Sequence, residues 1–410
     1  HQFPDGVDPY KIKGDSTSGL LWGISPAALS SDGTGDKLVQ AYNYRICLTD
    51  NPANKIEITR PENYDSTKYE LLLRLFDAQP NKRKLNHYFI WSRMPNNKTD
   101  INNRGGFSTD MIGMNHNYPE ASYEERAEII KAHKDYTQGL LYFYKTDPRV
   151  PQELRDEIQA WGYPKDEYTE DNHWSPQLYI RESRRMTGDY VMTQAHCEGR
   201  ETVTDGIGMA AYTMDSHNCQ RLLVKKDGKY IVKNEGNVEI SGGLPYPISY
   251  RSIIPKEEEC KNLLVPVCLS ASHIAYGSIR MEPVFMVLAQ SAAIAAAEAI
   301  NTGSVQTVDI KKVQALLHEN PLLDDSFSEI LIDDSELDLS INNDWEVIKK
   351  QGGYGPTFLK SKVRNGSPVR FSPHMEHEGK YKVYTYYHMR KDISPAITYS
   401  ISNGIDSWTR

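Results

Sequence analysis

The stretch SASHIAYGSIRMEPVFMVLAQSAAIAAAEAI, residues 270–300, decides the fold. Within it, Ala275–Arg280 has the polar, glycine-containing character of a turn, and the residues that follow are a run of small apolar residues typical of a helix. Pro283 suits the first turn of that helix, because no backbone donor is missed there. The helix start therefore leaves free N–H groups near residues 279–282, and these can face an anion or a carbonyl group of a ligand.

Small residues in this stretch permit close approach. Gly277 lets the backbone come near a ligand without an intervening Cβ, and the seven alanines from Ala289 to Ala299 let the helix lie close to a sheet or a flat cofactor. An ordinary turn followed by ordinary packing explains the same spacing equally well. The uncharged run Pro283–Ala297 has 15 residues, fewer than the roughly 20 that cross a bilayer. We therefore predict a buried core helix and no transmembrane segment.

Composition restricts the class of protein. The chain has 410 residues, 39% of them apolar, which predicts a folded protein of two or three domains. Its 47 basic and 55 acidic residues give a net charge of −8, which argues against nucleic-acid binding. The five cysteines form no CxxC pair, and the histidines are scattered, so no metal site is expected. The 26 tyrosines suit either a polar ligand or half-exposed packing.

Local patterns predict several elements. Ser122 followed by Glu125 is a capping box, which predicts a helix start. A short buried strand is predicted within residues 262–272. Further helices are predicted over 66–77, 151–160 and 309–320, and strands over 41–48, 230–236, 380–389 and 394–402.

Four blocks in the C-terminal half carry a family resemblance. They are Pro245–Pro255 (PYPISYRSIIP), Asn262–Val265 (NLLV), Ser270–Pro283 and Ala289–Ala297. In this order they closely resemble the C-terminal signature of the FAD-dependent oxidoreductase family, flavoproteins of the glutathione-reductase fold type. Upstream blocks continue the resemblance at residues 42–55, 98–126 and 179–193, so that it covers roughly residues 1–310.

The resemblance implies FAD as the cofactor. It places one continuous segment near the flavin ring and ribityl chain, namely Gly277, Ser278, Ile279, Arg280, Met281 and Glu282. The family also has a strand–GxGxxG–helix unit for the FAD pyrophosphate. The one near match, residues 206–211, follows a poor strand, and we interpret it as a loop. We therefore expect the dinucleotide-binding half to precede His1.

The expected fold is α/β (α+β overall). It combines a partial FAD/NAD(P)-binding fold, a mixed α/β substrate domain and a C-terminal β-sandwich-like segment. Residues 1–240 are expected to form the substrate or cap region with parts of the FAD domain, and residues 241–330 the C-terminal segment of the FAD domain. Residues 331–410 resemble the start of a golvesin or xanthan-lyase type module.

Three residues are candidates for catalysis. His273 precedes the flavin-facing segment and is the first choice for handling the substrate proton; a histidine that only shapes its loop is the alternative. Tyr250 and Arg251 end the preceding strand and can orient the substrate. Arg251 can equally form a structural ion pair with a carboxylate such as Glu282.

Three further residues are candidates for substrate binding. Arg181 and Arg185 share one face if their segment is helical, although solvent-side ion pairs with Glu182 are the commoner outcome. His217 lies two residues after Asp215, and the two side chains can meet only if a turn joins them.

The function expected from the resemblance is oxidation or reduction of an organic substrate, such as a carbohydrate or glycan-derived compound, with FAD. A xanthan-type polysaccharide lyase and a non-catalytic carbohydrate-binding protein are the alternatives. Export to the periplasm or the cell exterior is expected from the C-terminal module. The sequence leaves the oligomeric state open.

Overall fold

The computed structural model describes residues 2–240, 245–319, 330–334, 337, 343–349, 357–364, 366–375, 378–385 and 397–409. The helices in these ranges are α1 (Glu70–Ala78), α2 (Tyr123–Thr146), α3 (Gln152–Gln159), α4 (Gln194–Cys197), α5 (His273–Ile279), α6 (Glu282–Thr302) and α7 (Ile310–Glu319). Short 3-10 turns occur between them, one of which leads directly into α1.

The strands of the described residues are short and all form antiparallel pairs. The pairs are β1 (Tyr10–Ile12) with β2 (Asp15–Leu20), β3 (Lys55–Ile56) with β6 (Tyr163–Pro164), β4 (Phe89–Met94) with β5 (Lys98–Asn103), β7 (Gly206–Ala210) with β12 (Tyr246–Ser249), β8 (Met214–Ser216) with β11 (Val238–Ile240), β9 (Gln220–Lys226) with β10 (Lys229–Glu235), β13 (Trp345–Lys349) with β14 (Thr357–Ser361), and β15 (Ser400–Ser402) with β16 (Ser407–Thr409). The expected mixed α/β content is confirmed.

The chain forms two compact units, each assembled from separate stretches of sequence. Unit one contains His1–Thr187, Thr213–Ser241 and Val265–Glu282. Unit two contains Gly188–Tyr212, Gly242–Leu264 and Pro283–Arg410. The predicted domain boundaries at 240 and 330 stay predictions.

Unit one has an aromatic core. Its largest fully buried side chains include Tyr69, Tyr88, Tyr136, Tyr144 and Phe143. Backbone carbonyls accept hydrogen bonds from these rings: the Tyr69 hydroxyl donates to Tyr136 O at 2.8 Å, and the Tyr136 hydroxyl donates to Ser108 O at 2.6 Å. A buried phenol needs such a partner. Many of the tyrosines are therefore core residues, not the half-exposed packing residues of the sequence-based interpretation.

Local sequence signals locate several helices and one strand correctly. The Ser122 N–H donates to Glu125 Oε2 at 2.8 Å and Glu125 N–H donates to Ser122 Oγ at 3.2 Å, which confirms the capping box of α2. The helices predicted over 66–77, 151–160 and 309–320 correspond to α1 with its 3-10 turn, α3 and α7. The strand predicted over 230–236 corresponds to β10.

Three local predictions are wrong. Residues 41–48 make isolated bridges at Asn43 and Ile46 but no strand. Residues 262–265 form no strand and are exposed or half-buried. Residues 206–210 form strand β7, not a loop. Because β7 is followed by no helix, the glycines there do not form a dinucleotide-binding turn.

The described part of the tail contains two separate hairpins. Strand β13 pairs with β14, and β15 pairs with β16. A sandwich is not formed by these described residues. Of the strand predicted over 380–389, residues 380–385 have no strand conformation and the rest lie outside the described residues. The strand predicted over 394–402 is limited to Ser400–Ser402 in the described part.

Among the helices of the described residues α6 is strongly apolar, yet little of it is buried within the chain. Only Leu288, Ser291, Ala292 and Ala295 are buried. In the described residues it is the one helix with the length and composition of a membrane span. This property alone is weak support for a membrane segment, because core helices share it. The prediction that α6 is buried in the core of this chain is wrong.

The capping box of α2 gives a stability prediction. Replacing Ser122 with Ala removes the acceptor for the Glu125 N–H, and we expect the free energy of unfolding to fall by about 1 kcal/mol. Urea unfolding followed by circular dichroism measures this change. Ser30→Ala is the control, because Ser30 is exposed and lies outside all helices and strands. Equal midpoints for the two variants would contradict the capping role.

Candidate functional site

Residues 270–300 contain two helices, α5 and most of α6. Ser272 caps α5 through a hydrogen bond from Ala275 N–H to Ser272 Oγ at 3.3 Å. The turn predicted over 275–280 is wrong, because residues 273–279 are helical and Arg280 is the C-cap of α5. The predicted start of α6 near Pro283 is confirmed, because α6 begins at Glu282.

His273, the first residue of α5, is held at both ring nitrogens. Its Nδ1 lies 2.9 Å from Glu182 Oε2, and its Nε2 lies 2.8 Å from Ser216 Oγ. The carboxylate is an acceptor, so it fixes the hydrogen on Nδ1 and leaves Nε2 to accept from the hydroxyl. The His273 side chain is 31% exposed. The imidazole is therefore oriented from inside the protein while part of the ring reaches solvent.

Glu182 is the buried anchor of this arrangement. Its side chain is 1% exposed, and it accepts from Gln40 N–H at 2.8 Å and from Arg185 Nη1 at 2.8 Å. Burial by itself raises the pKa of Glu182, but the hydrogen bond and charge of His273, the Gln40 N–H and Arg185 outweigh it, so the pKa is below its usual value. Glu182 is therefore ionised. It pairs with Arg185 as a buried carboxylate, not as the solvent-exposed partner expected from the sequence.

A second histidine–carboxylate pair lies beside the first. His217 Nδ1 is 2.8 Å from Asp110 Oδ2, and His217 Nε2 is 3.5 Å from Asp215 Oδ2. Arg181 Nη2 lies 3.0 Å from Asp110 Oδ1, and another Arg181 nitrogen donates to Ala41 O. Burial by itself raises the pKa of Asp110, but the charges of Arg181 and His217 outweigh this effect, so the pKa is below its usual value.

Asp215 connects this pair to the end of α5. Arg280 Nη2 lies 3.0 Å from Asp215 Oδ2 and 3.3 Å from Asp215 O. A Cβ on Gly277 would lie only 2.8 Å from Asp215 O. Glycine is therefore required here so that α5 can approach the backbone of β8, a structural purpose that needs no ligand.

The residues around His273 and His217 form one group, called here the His273 cluster. Its charges are balanced, and some of its polar atoms have no hydrogen-bond partner. Its three carboxylates, Asp110, Glu182 and Asp215, face three guanidinium groups, those of Arg181, Arg185 and Arg280. Apart from Asp110 Oδ1, which lies 3.0 Å from Arg181 Nη2, four buried side-chain atoms in or next to the cluster have no hydrogen-bond partner: Gln40 Nε2, Asn115 Oδ1, Asn218 Oδ1 and Arg280 Nε. Such atoms require water or the polar groups of a ligand.

The substrate-binding candidates are distributed differently from the prediction. Residues 180–187 have no helical conformation, so Arg181 and Arg185 do not share a helix face. Arg181 is fully buried against Asp110 and is a structural counter-ion. Arg185 is 23% exposed. His217 does meet Asp215, because β8 ends at Ser216 and the alternation of side chains stops there.

Most of the predicted flavin contacts are buried in unit one. Gly277, Ser278, Ile279 and Arg280 have almost no exposed surface, so they do not fit direct contact with a ring. Met281 is half-buried and Glu282 is exposed. Met281 and Glu282 are thus the more accessible of the six residues, and the prediction that this segment contacts a flavin stays a prediction.

The other catalytic candidates belong to unit two. Tyr250 is buried, its hydroxyl donates to Val305 O at 2.7 Å, and burial raises its pKa to about 12. Arg251 donates to Asp205 at 3.0 Å and stacks 4.0 Å from the centre of the Tyr190 ring. The alternative considered for Arg251, a structural ion pair, is realised with Asp205 instead of Glu282.

Two residues of the cluster were missed by sequence reasoning, Asp110 and Ser216. Ser216 lies between Asp215 and His217, but a single serine in a sequence does not indicate a catalytic or binding role. Asp110 reaches His217 across 107 residues of sequence. Only the fold brings them together. No group of residues suited to a metal ion occurs in the described part of the chain.

Comparison with known proteins gives one match. The family model described as FAD dependent oxidoreductase matches residues 7–317, about three quarters of the chain. No curated protein and no solved structure matches significantly.

The buried carboxylates give a pH prediction. Because the pKa of Glu182 is lower in the folded chain than its usual 4.5, its stabilisation is present above pH 4.5 and is lost as the pH falls through the folded value. We expect the melting temperature to fall below about pH 4.5, and to fall less steeply in Glu182→Gln.

Thermal scans of both proteins between neutral and acid pH measure this slope. Asp32→Asn is the control, because Asp32 is exposed, and it should keep the slope of the unmodified chain. Parallel curves for Glu182→Gln and the unmodified chain would contradict a shifted Glu182.

Proposed function

We propose, from the premise that this chain belongs to the FAD dependent oxidoreductase family, that His273 exchanges a proton with an organic substrate. Membership in the family makes the protein an FAD-dependent oxidoreductase. The observation that carries the proposal is the hydrogen-bonded row Glu182–His273–Ser216, at 2.9 and 2.8 Å, with the imidazole partly exposed. An oriented imidazole beside a buried carboxylate is a suitable acid–base group near neutral pH.

Ser216 allows His273 to exist in both protonation states. When His273 is neutral, the Ser216 hydroxyl donates to Nε2. When His273 is protonated, Nε2–H donates to Ser216 Oγ, and the hydroxyl hydrogen can turn toward His217 O, which lies 3.3 Å away.

Arg185 is the best candidate for orienting a polar or anionic substrate. One of its nitrogens donates to Glu182, and its Nε donates to Ala271 O at 3.0 Å. The guanidinium lies 5.6 Å from the centre of the Tyr276 ring. These contacts fix the group while part of it stays exposed, so a planar cation is presented in a set direction. Arg181 has no such exposed surface.

The family implies FAD, which supplies hydride acceptance or donation when it is bound. Among the predicted contact residues, Met281 and Glu282 are the accessible ones. The α6 start presents the positive end of a helix dipole. Gly277–Arg280 then act indirectly, because they fix α5 against Asp215 and so determine where the chain enters α6.

A carbohydrate-derived substrate and export from the cell are finer proposals. They are supported only by the resemblance of residues 331–410 to a golvesin or xanthan-lyase type module. A small-molecule substrate agrees with the net charge of −8, which argues against nucleic acid as the partner.

Flavin binding is the direct test of the proposed class. We expect the natural polypeptide that carries this chain to show the visible bands of a protein-bound flavin, and to lose them on anaerobic reduction by its substrate. Spectra recorded after adding FAD and removing the excess measure this. A colourless protein that does not retain added FAD would count against the proposal.

Substitution of His273 tests the proton-handling role. We expect His273→Asn to lower the rate of flavin reduction by about 100- to 10,000-fold, because the acid–base group is lost. Stopped-flow reduction under saturating substrate measures the rate. His318→Asn is the matched control, since His318 is exposed on α7. A His273→Asn rate within a few-fold of the control would show that His273 only shapes the fold.

A further inference from the structure

Unit one contains a cavity of about 480 Å³ that shares no residue with the His273 cluster. It lies where the end of α1 and the following turn meet the start of α3, and its walls include Phe76, Pro80 and Val150. A volume of this size is in the range of sites for small molecules.

Three arginines line the cavity, and they differ in availability. Arg149 is saturated: it donates to Asp147 at 3.0 and 2.8 Å and to Glu70 at 2.6 Å. Arg83 and Arg155 pair with no carboxylate among the described residues. Asp77 is the one acidic residue of the lining. The available charge of the cavity is therefore positive.

Arg155 has a donor that lacks an acceptor. Its Nη2 donates to Gln152 Oε1, but its buried Nε has no hydrogen-bond partner. A buried donor without a partner costs free energy, more so in a charged group. Arg155 lines the cavity, so an acceptor that binds there and reaches Nε would remove that cost.

The start of α3 adds backbone donors to the same cavity. Its N-cap is Pro151, which supplies no side-chain acceptor, and the N–H groups of Leu154 and Arg155 already donate to Pro151 O. The N–H groups of Gln152 and Glu153 have no acceptor in the described part of the chain. Pro151 and Gln152 both line the cavity. The uncapped first turn is therefore a second donor group for an anion.

We propose that this cavity binds a small molecule through its phosphate group. A phosphate offers enough acceptor oxygens for the free nitrogens of Arg155, for Arg83 and for the first turn of α3, whereas a carboxylate offers only two. The proposal does not depend on the redox activity, because none of these residues belongs to the His273 cluster.

Titration with inorganic pyrophosphate tests the proposal. Isothermal calorimetry on the 410-residue chain should show saturable binding that weakens at high salt. Arg155→Ala and Arg83→Ala should each weaken it by about tenfold or more, as expected for a lost charged hydrogen bond. Arg200→Ala is the control, since it removes the same charge at an exposed residue of unit two.

Unchanged melting temperatures of the variants would show that they fold. Arg155→Lys keeps the charge but loses the planar donors, so it should bind with intermediate strength. No saturable heat for the unmodified chain, or equal weakening in all arginine variants including Arg200→Ala, would overturn the proposal. Acetate binding as strong as pyrophosphate binding would overturn the preference for phosphate.

Discussion

The buried carboxylate of Glu182 is the constraint on which the site depends. It is removed from water, so its charge must be stabilised by the Gln40 N–H, His273 and Arg185 together. These three partners come from three separated parts of the chain. Loss of any one would leave a buried charge incompletely paired, which is far costlier than the loss of a surface ion pair. The anchor thereby holds the start of α5 in a fixed position.

Residues 180–187 have no helical conformation, and adjacent side chains of this segment contact different partners. Arg181 contacts Asp110, whereas Glu182 contacts His273. Ser216 and His217 divide in the same way: the serine meets His273 and the histidine meets Asp110. A helix over the same residues would have placed Arg181 and Arg185 together and left the two histidines without this pattern of partners.

Sequence reasoning succeeded where the signal is local and failed where it is not. The capping box at Ser122, helix α7 and strand β10 depend on residues within a few positions of one another. The Glu182–His273 pair spans 91 residues of sequence, and no local pattern specifies it. Residues 262–265 read as a buried strand because they are apolar, but burial depends on what packs against them, and little in this chain does. The resemblance identified the family correctly, whereas the choice among its residues required geometry.

Gly277 shows that a glycine in a ligand-binding motif can be required by the packing of the chain itself. A glycine before a ligand-facing helix suggests backbone approach to the ligand, yet its missing Cβ here makes room for Asp215 O. The same contact brings Arg280 onto Asp215. Helix α5 is held at both ends, by Glu182 at His273 and by Asp215 at Arg280. The glycine of this motif therefore has a structural reason that needs no ligand, and a role of residues 277–282 in cofactor binding stays a prediction.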